Sequence, residues 1–170
     1  MSSAEEVSAI NLSSRHATRF IAILALYSYD MCKQTSLAQL AKKVKRSYLN
    51  KDIFDLEISQ DKLLEIELHS PDNQFLDQLI SLSEEKRPEI EQLIKDSLIE
   101  KWNIDKIDKV IKAILQLAAL ELLYNAITPA KVIIDEYVSL TKSFYENNEA
   151  GFVNKVIDSM ARTSRKAEIE

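Results

Sequence analysis

Glycine is almost absent from this sequence, which contains only Gly151 among its 170 residues. Chains rich in β-strands, and α/β enzymes with phosphate loops, need glycine where the backbone takes a positive φ or approaches a ligand closely. The sequence therefore excludes a Gly-rich phosphate loop and a dinucleotide-binding fingerprint. Because prolines are also few and apolar residues recur at helical spacing, the sequence predicts an all-α protein.

Cysteine and histidine are equally scarce. Cys32 is the only cysteine, which excludes an internal disulfide and a cysteine-based zinc site. His16 and His69 are the only histidines, and their separation excludes an HExxH motif or a His triad. No apolar run reaches the ~18 residues of a membrane span, and the segment Met1 to Val7 lacks the features of a signal peptide. We therefore expect a cytoplasmic, non-enzymatic protein without a metal or cofactor.

Charge is unevenly distributed along the chain, whose net charge is −5. Residues 1–51 hold eight Lys and Arg against three Asp and Glu, residues 52–101 hold five against fourteen, and residues 102–170 hold nine against ten. The N-terminal part is therefore basic although the whole chain is acidic. Such a protein can bind a polyanion when its basic groups share a face.

The N-terminal half contains two clear helical patterns. An apolar stripe predicts a helix over about 14–31, with Arg15 and Arg19 together at its N-terminal end. A second helix is predicted over about 37–49, in a stretch without acidic residues. This stretch carries the basic run Lys42, Lys43, Lys45 and Arg46. A solvated helix face and an RNA contact are both open interpretations of the run.

The middle and the C-terminal third contain further helical patterns. Proline at a first helical turn predicts helices starting after Pro71 and at Pro88, and another helix is predicted before them. Thr128 and Pro129 predict another start, with the hydroxyl as N-cap. The predicted ranges are about 53–68, 72–83, 88–100, 105–125 with Asp105 as its cap, 129–144 and 152–162, followed by a frayed tail.

Glu121 interrupts the most apolar of these helices. A buried carboxylate needs hydrogen-bond donors, because an unpaired buried charge costs several kcal/mol. No second acid, histidine or nucleophile accompanies it at a defined spacing, so a general-base role is rejected. We expect instead a structural bond to the N-terminus of the helix that begins at Pro129.

Several short sequence words resemble those of the NusB family. They are RHATR (15–19), ALY (25–27), AILQLA (113–118), ELLY (121–124), TPAKV (128–132), IDEYV (134–138), KSF (142–144) and FVN (152–154). The words cover the first helix and the last 60 residues or so, whereas residues 32–100 match only in length and helical character.

This resemblance implies an all-α fold of two small helical bundles that share a core. It implies one domain over residues 1–170, with sub-bundles at about 12–100 and 101–163. The implied function is bacterial transcription antitermination without catalysis, as part of the RNA polymerase antitermination complex. The protein would pair with NusE, a small-subunit ribosomal protein, and bind the boxA element of nascent ribosomal RNA.

The resemblance also implies an RNA site. Its candidate residues are Arg15, His16, Arg19, Lys142, Phe152, Asn154 and Lys155. Cations neutralise phosphates, while an aromatic ring and an amide are groups that recognise single-stranded RNA. The family usually has more arginines at its N-terminal cluster and a glycine where Lys155 stands. A solvated helix start at Arg15 and a core position for Phe152 remain the structural alternatives.

Two other functions are compatible with the sequence. One is a helical protein-binding adaptor without an RNA role. The other is a stand-alone ribosomal RNA-binding module that acts with a separate ribosomal RNA methyltransferase. Salt-dependent binding to a boxA-like oligonucleotide separates the RNA-binding functions from the adaptor.

Overall fold

The computed structural model describes residues 3–33, 35–50, 70–99 and 102–169, with side chains from residue 14 onward. All regular elements in these ranges are helices, so the predicted all-α class is confirmed. No helix in the same ranges is both long and apolar enough to cross a membrane. The predicted helix near 53–68 lies outside the described residues.

The helices follow one another along the chain with short connections. They are α1 (Ser3–Met31), α2 (Leu37–Leu49), α3 (Asn73–Glu85), α4 (Arg87–Ser97), α5 (Lys109–Tyr124), α6 (Ala130–Phe144), α7 (Glu149–Ser164) and α8 (Lys166–Ile169), with a 3-10 turn at Ile104–Lys106. Contacts between residues divide the chain into two compact units, Met1–Ser81 and Leu82–Glu170.

The first unit is built on the packing of α1 against α2. Phe20 on α1 and Tyr48 on α2 are both buried, and their ring centroids are 6.1 Å apart. Thr18 fixes the chain just before α3, because its hydroxyl accepts a hydrogen bond from Asp72 N at 2.8 Å. The Asp72 carboxylate in turn accepts from Phe75 N at 3.0 Å and caps α3.

The predicted start of α1 near residue 14 was wrong, because the helix begins at Ser3. Arg15 and Arg19 therefore lie in the interior of a helix, where backbone N–H groups bond to carbonyls of the preceding turn. A helix N-terminus does not assist anion binding at these two residues. By contrast, α2 has the predicted bounds, and Ser36 caps it by accepting from Gln39 N.

The second unit is organised around α5, which packs against α4, α6 and α7. Its cap is Asp108, whose carboxylate accepts from Val110 N and Ile111 N, so the predicted cap at Asp105 was wrong. Asp105 belongs to the preceding 3-10 turn, and Ile107 after that turn is extended, at φ −75° and ψ 143°. The extended residue prevents one helix from continuing through both segments.

Glu121 is fully buried on α5 and has a structural role, but its donors differ from those predicted. Its carboxylate accepts hydrogen bonds from the Tyr137 hydroxyl and from Asn125 Nδ2. The same Asn125 amide donates to Thr128 Oγ1 at 2.9 Å, and α6 begins after Pro129 without a side-chain cap from Thr128. The predicted Thr128 cap was therefore wrong.

The first free N–H group of α6 is satisfied from the C-terminal segment. Ala130 N donates to Glu168 Oε2 at 2.8 Å. This hydrogen bond, together with Arg165, lowers the pKa of Glu168. A residue from the predicted frayed tail thus stabilises the start of α6, where an anion is also favoured by the helix dipole.

Arg165 attaches the same segment to the end of α5. Its guanidinium donates to the carbonyl oxygens of Leu122 at 2.9 Å, Glu121 at 2.9 Å, Asn125 at 2.5 Å and Thr128 at 2.7 Å. The last carbonyls of a helix have no intrahelical donors. Glu121 O also accepts from Asn125 N at 2.8 Å, and for the Leu122, Asn125 and Thr128 carbonyls Arg165 supplies the hydrogen bond. The prediction of a frayed tail was wrong.

Both bounds of the last predicted helix, about 152–162, differ from the structure, in which α7 begins at Glu149 and ends at Ser164. The segment that separates α7 from α6 is therefore shorter than predicted. Gly151 lies within its first turn, and a Cβ atom there would have no neighbour within 4 Å. Gly151 is therefore not required by a turn or a close contact.

We predict that Arg165→Ala lowers the free energy of unfolding by about 3 kcal/mol, because it leaves several partly buried carbonyls without a donor. Urea denaturation followed by circular dichroism measures this change. Arg162→Ala is the matched control, since the Arg162 side chain is 65% exposed whereas that of Arg165 is 7% exposed. Arg162 makes an exposed ion pair with Asp158, and its loss should change stability little. Equal effects of the two substitutions would contradict the anchoring role of Arg165.

Candidate RNA interface

Two arginines of α1 lie over one aromatic ring in the first unit. The guanidinium carbon of Arg15 lies 4.7 Å from the centroid of the Phe75 ring, and that of Arg19 lies 5.2 Å from it. Guanidinium groups are attracted to the face of an aromatic ring at such distances. The Asp72 cap bonds the backbone N–H of Phe75, and the Phe75 side chain is buried, so its ring is a packing platform for both arginines.

The predicted residues Arg15, His16 and Arg19, which we call the α1 cluster, differ in exposure. Arg15 and His16 are half-buried, whereas Arg19 is only 1% exposed. Arg15 and His16 thus keep part of their surface accessible to solvent, and their contact with RNA stays a prediction. The buried Arg19 has almost no surface to offer a phosphate, and its guanidinium packs on the Phe75 ring.

The second unit contains an open groove of about 730 Å³ beside α7, which we call the α7 groove. Its lining residues are Ser97, Leu98, Ile99, Trp102, Asn147, Asn148, Gly151, Phe152, Lys155, Val156 and Ser159. The rings of Trp102 and Phe152 are 5.3 Å apart between centroids and inclined at 50°. Trp102 is 46% exposed, and Lys155 is also exposed.

Helix geometry explains which predicted residues the groove brings together. Phe152 and Lys155 are three residues apart and share a face of α7. Asn154 is exposed but lies on another face of the helix and does not line the groove. Lys142 is exposed in the last turn of α6 and does not line it either. An RNA contact of Asn154 or Lys142 stays a prediction.

The α7 groove combines the groups that a single-stranded nucleic acid needs. Two aromatic rings offer a stacking surface for a base, and the Lys155 ammonium offers a charge for a phosphate. The side chains of Asn147 and Asn148 add amide donors and acceptors at the rim. In the part of the chain that the structure describes, no cluster of His, Cys, Asp and Glu is arranged to hold a metal ion.

The sequence patterns did not identify Trp102 or Phe75 as parts of these sites. Trp102 is the only tryptophan of the chain and precedes the most apolar helix, outside any apolar stripe. A large aromatic residue outside a core stripe is expected to be exposed, and Trp102 is 46% exposed. Phe75 gave no such signal, because it lies within a stripe of α3 and is buried.

Comparisons with known proteins agree on one family. A family model described as the NusB family matches residues 16–162. The transcription antitermination protein NusB of Sphingopyxis alaskensis is 29% identical over 153 residues, which are 90% of this chain and 95% of the relative. The protein of the same name from Novosphingobium aromaticivorans is 30% identical over 156 residues, which are 92% of this chain and 98% of the relative.

Solved structures show the same fold. T. maritima NusB superimposes with a TM-score of 0.69 at 23% identity, and the match covers 91% of this chain and 95% of that one. A crystal structure of antitermination factors NusB and NusE in complex with dsRNA matches with a TM-score of 0.66 at 21% identity. That match covers 87% of this chain and 96% of the other.

We predict that the two arginines over Phe75 contribute unequally to stability. Arg19→Ala should lower the free energy of unfolding by about 2 kcal/mol, because it removes a buried cation and its packing on the ring. Arg15→Ala, on the same ring but half-buried, should cost about 0.5 kcal/mol or less. Urea denaturation of both variants measures the difference. If Arg19→Ala were as mild as Arg15→Ala, the internal role of Arg19 would be wrong.

Proposed function

Because the chain belongs to the NusB family, we propose that it is a transcription antitermination factor. In this function it binds a boxA-like element of nascent ribosomal RNA together with NusE, in the antitermination complex of RNA polymerase. The observation that carries the proposal is the extent of the family match, which runs from His16 through Phe152 and Lys155 to Arg162. The site of action would be the cytoplasm, where transcripts are made.

The two groups of candidate residues support RNA as the ligand in different ways. In the first unit, Arg15 and His16 are half-buried residues that can be positively charged, and Arg15 lies over the Phe75 ring. In the second, the α7 groove offers stacking by Trp102 and Phe152 and a cation at Lys155. Phosphate contacts provide affinity and base contacts provide specificity, so each unit has chemistry for part of the recognition.

We propose that the protein acts by binding and not by catalysis. Glu121, the most deeply buried carboxylate identified from the sequence, accepts hydrogen bonds from Tyr137 and Asn125. A carboxylate in that arrangement maintains the packing of α5 against α6 and is not placed to accept a proton from a substrate.

NusE enters the proposal because a fold relative is described in complex with NusE and RNA. The α1 cluster has few cations, and non-specific affinity for RNA rests mostly on phosphate neutralisation. A partner protein that binds the same RNA adds its own contacts to that RNA, and this chain then needs no further cations. By linkage, RNA must then strengthen the binding of NusE by the same factor.

We predict that the protein alone binds a boxA-like oligoribonucleotide weakly, in about the micromolar range, and that NusE lowers the dissociation constant. Fluorescence anisotropy of labelled RNA, titrated with the protein in the absence and presence of NusE, measures the effect. An RNA of scrambled sequence is the control. Equal affinities with and without NusE would contradict the cooperative mechanism, and no binding of either RNA would favour a protein-binding adaptor.

We also predict that individual cations set the salt dependence. For a single strand, each lost phosphate contact lowers the slope of log K against log salt by about 0.7. Arg15→Gln and Lys155→Gln should each reduce the slope by this amount. Lys131→Gln removes an exposed charge from the first turn of α6 and should leave the slope unchanged. An unchanged slope for Lys155→Gln would remove the α7 groove from the interface.

A further inference from the structure

The outer face of α2 is strongly basic and has no role in the sites described above. From residue 31 to residue 51 the sequence contains no Asp or Glu. Within this stretch α2 carries Lys42, Lys43, Lys45 and Arg46. None of the ion pairs between described residues involves any of these four side chains.

The packing of α2 determines where these charges lie. Leu37, Ala41 and Tyr48 are buried and form the side that packs on α1. Lys42 and Arg46 are exposed on the opposite side, one helical turn apart, which is about 6 Å along the axis. Lys43 is exposed beside them and Lys45 is half-buried at the flank.

The flank of α2 connects this face to the α1 cluster through the start of α3. Lys45 Nζ donates to Asn73 Oδ1 at 3.0 Å, so its charge meets a neutral amide and not a carboxylate. Asn73 is the first residue of α3, and Phe75 follows in the same turn beneath Arg15. Asp72, the acid that directly precedes Asn73, caps that turn through its carboxylate. Lys45 of α2 and Arg15 of α1 therefore both reach the first turn of α3, at Asn73 and at Phe75.

A solvated helix face does not account for this pattern. Exposed helices gain stability when acidic and basic residues alternate at a spacing of four, and like charges at that spacing are mildly destabilising. Lys42 and Arg46 have the unfavourable like-charge spacing. The helix dipole favours a cation in the last turn, which explains Arg46 but not Lys42 or Lys43, nearer the middle of α2. A polyanionic partner would compensate the repulsion.

We propose that the outer face of α2, with Lys42, Lys43 and Arg46, binds the phosphates of RNA that flanks the boxA-like element. This inference rests on the proposed RNA-binding function and extends it. The flanking segment would leave the α1 cluster at Arg15 and continue past the start of α3 onto α2. Lysine and arginine side chains that contact only phosphates bind RNA independently of its base sequence.

Two RNAs and two matched double variants test the proposal with the full chain in the presence of NusE. One RNA carries only a boxA-like element, and the other carries the element with single-stranded flanks of unrelated sequence. Lys42→Gln/Arg46→Gln removes one Lys and one Arg from α2. Lys131→Gln/Arg162→Gln removes the same charges from exposed positions of α6 and α7, so that net charge is matched.

The wild-type protein should bind the flanked RNA more tightly than the short RNA, and Lys42→Gln/Arg46→Gln should abolish most of this gain. Loss of two phosphate contacts lowers the salt slope by about 1.4 for the flanked RNA. Raising salt from about 50 to about 200 mM should then weaken the wild-type complex about sevenfold more than the variant complex. The control variant should keep both the gain and the slope, and all proteins should bind the short RNA alike.

Other outcomes separate the two proposals. If the short RNA is not bound by the wild type, the proposed function fails. If it is bound but the flanks add neither affinity nor slope, only the role of α2 fails. If the α2 variant fails to bind NusE in the absence of RNA, this face is the binding site of a protein partner instead. If the wild type binds phosphatidylglycerol vesicles and the α2 variant does not, while both bind RNA equally, this face binds an anionic membrane surface instead.

Discussion

The end of α5 presents backbone carbonyl oxygens that the helix cannot satisfy, and Arg165 donates to four carbonyls in this region. Glu168, three residues later, accepts from the first N–H of α6. The C-terminal segment therefore links the end of one helix to the start of the next. The segment follows directly on α7, which carries Phe152 and Lys155, so these hydrogen bonds connect α7 to the end of α5 and to the start of α6, which carries Lys142. Their donors and acceptors are partly buried, so their loss would leave unsatisfied polar groups.

The two candidate sites use charge and aromatic surface in different proportions. In the first unit a buried ring, Phe75, supports cations, and one of these, Arg19, is itself buried. In the second unit two rings are accessible, and the cation Lys155 lies on the same helix face as one of them. The first arrangement favours phosphate contacts and the second favours base stacking. An acidic protein can bind RNA in this way because its cations are concentrated on particular helices.

Local patterns predicted the helical class and some element bounds. The near absence of glycine and the apolar periodicity were sufficient for the all-α fold, and the bounds of α2 agree with the structure. Predictions failed where a distant partner decides the outcome. Arg165 is anchored by carbonyls about 40 residues earlier in the chain, and Arg19 is buried against a ring from another helix. The choice between Asp105 and Asp108 as a cap depended on one extended residue between them, which hydrophobic spacing does not reveal.

Stacking of RNA bases in the α7 groove can be measured directly, because the protein contains an intrinsic fluorophore there. Trp102 is the only tryptophan, is partly exposed, and contacts Phe152 in the groove. Its fluorescence should be recorded while the complex with NusE is titrated with a boxA-like RNA, with the emission of NusE subtracted. Stacking of a base on an exposed indole predicts quenching that saturates with RNA binding. Emission that stays constant while anisotropy shows the RNA to be bound would contradict the assignment of this groove to RNA.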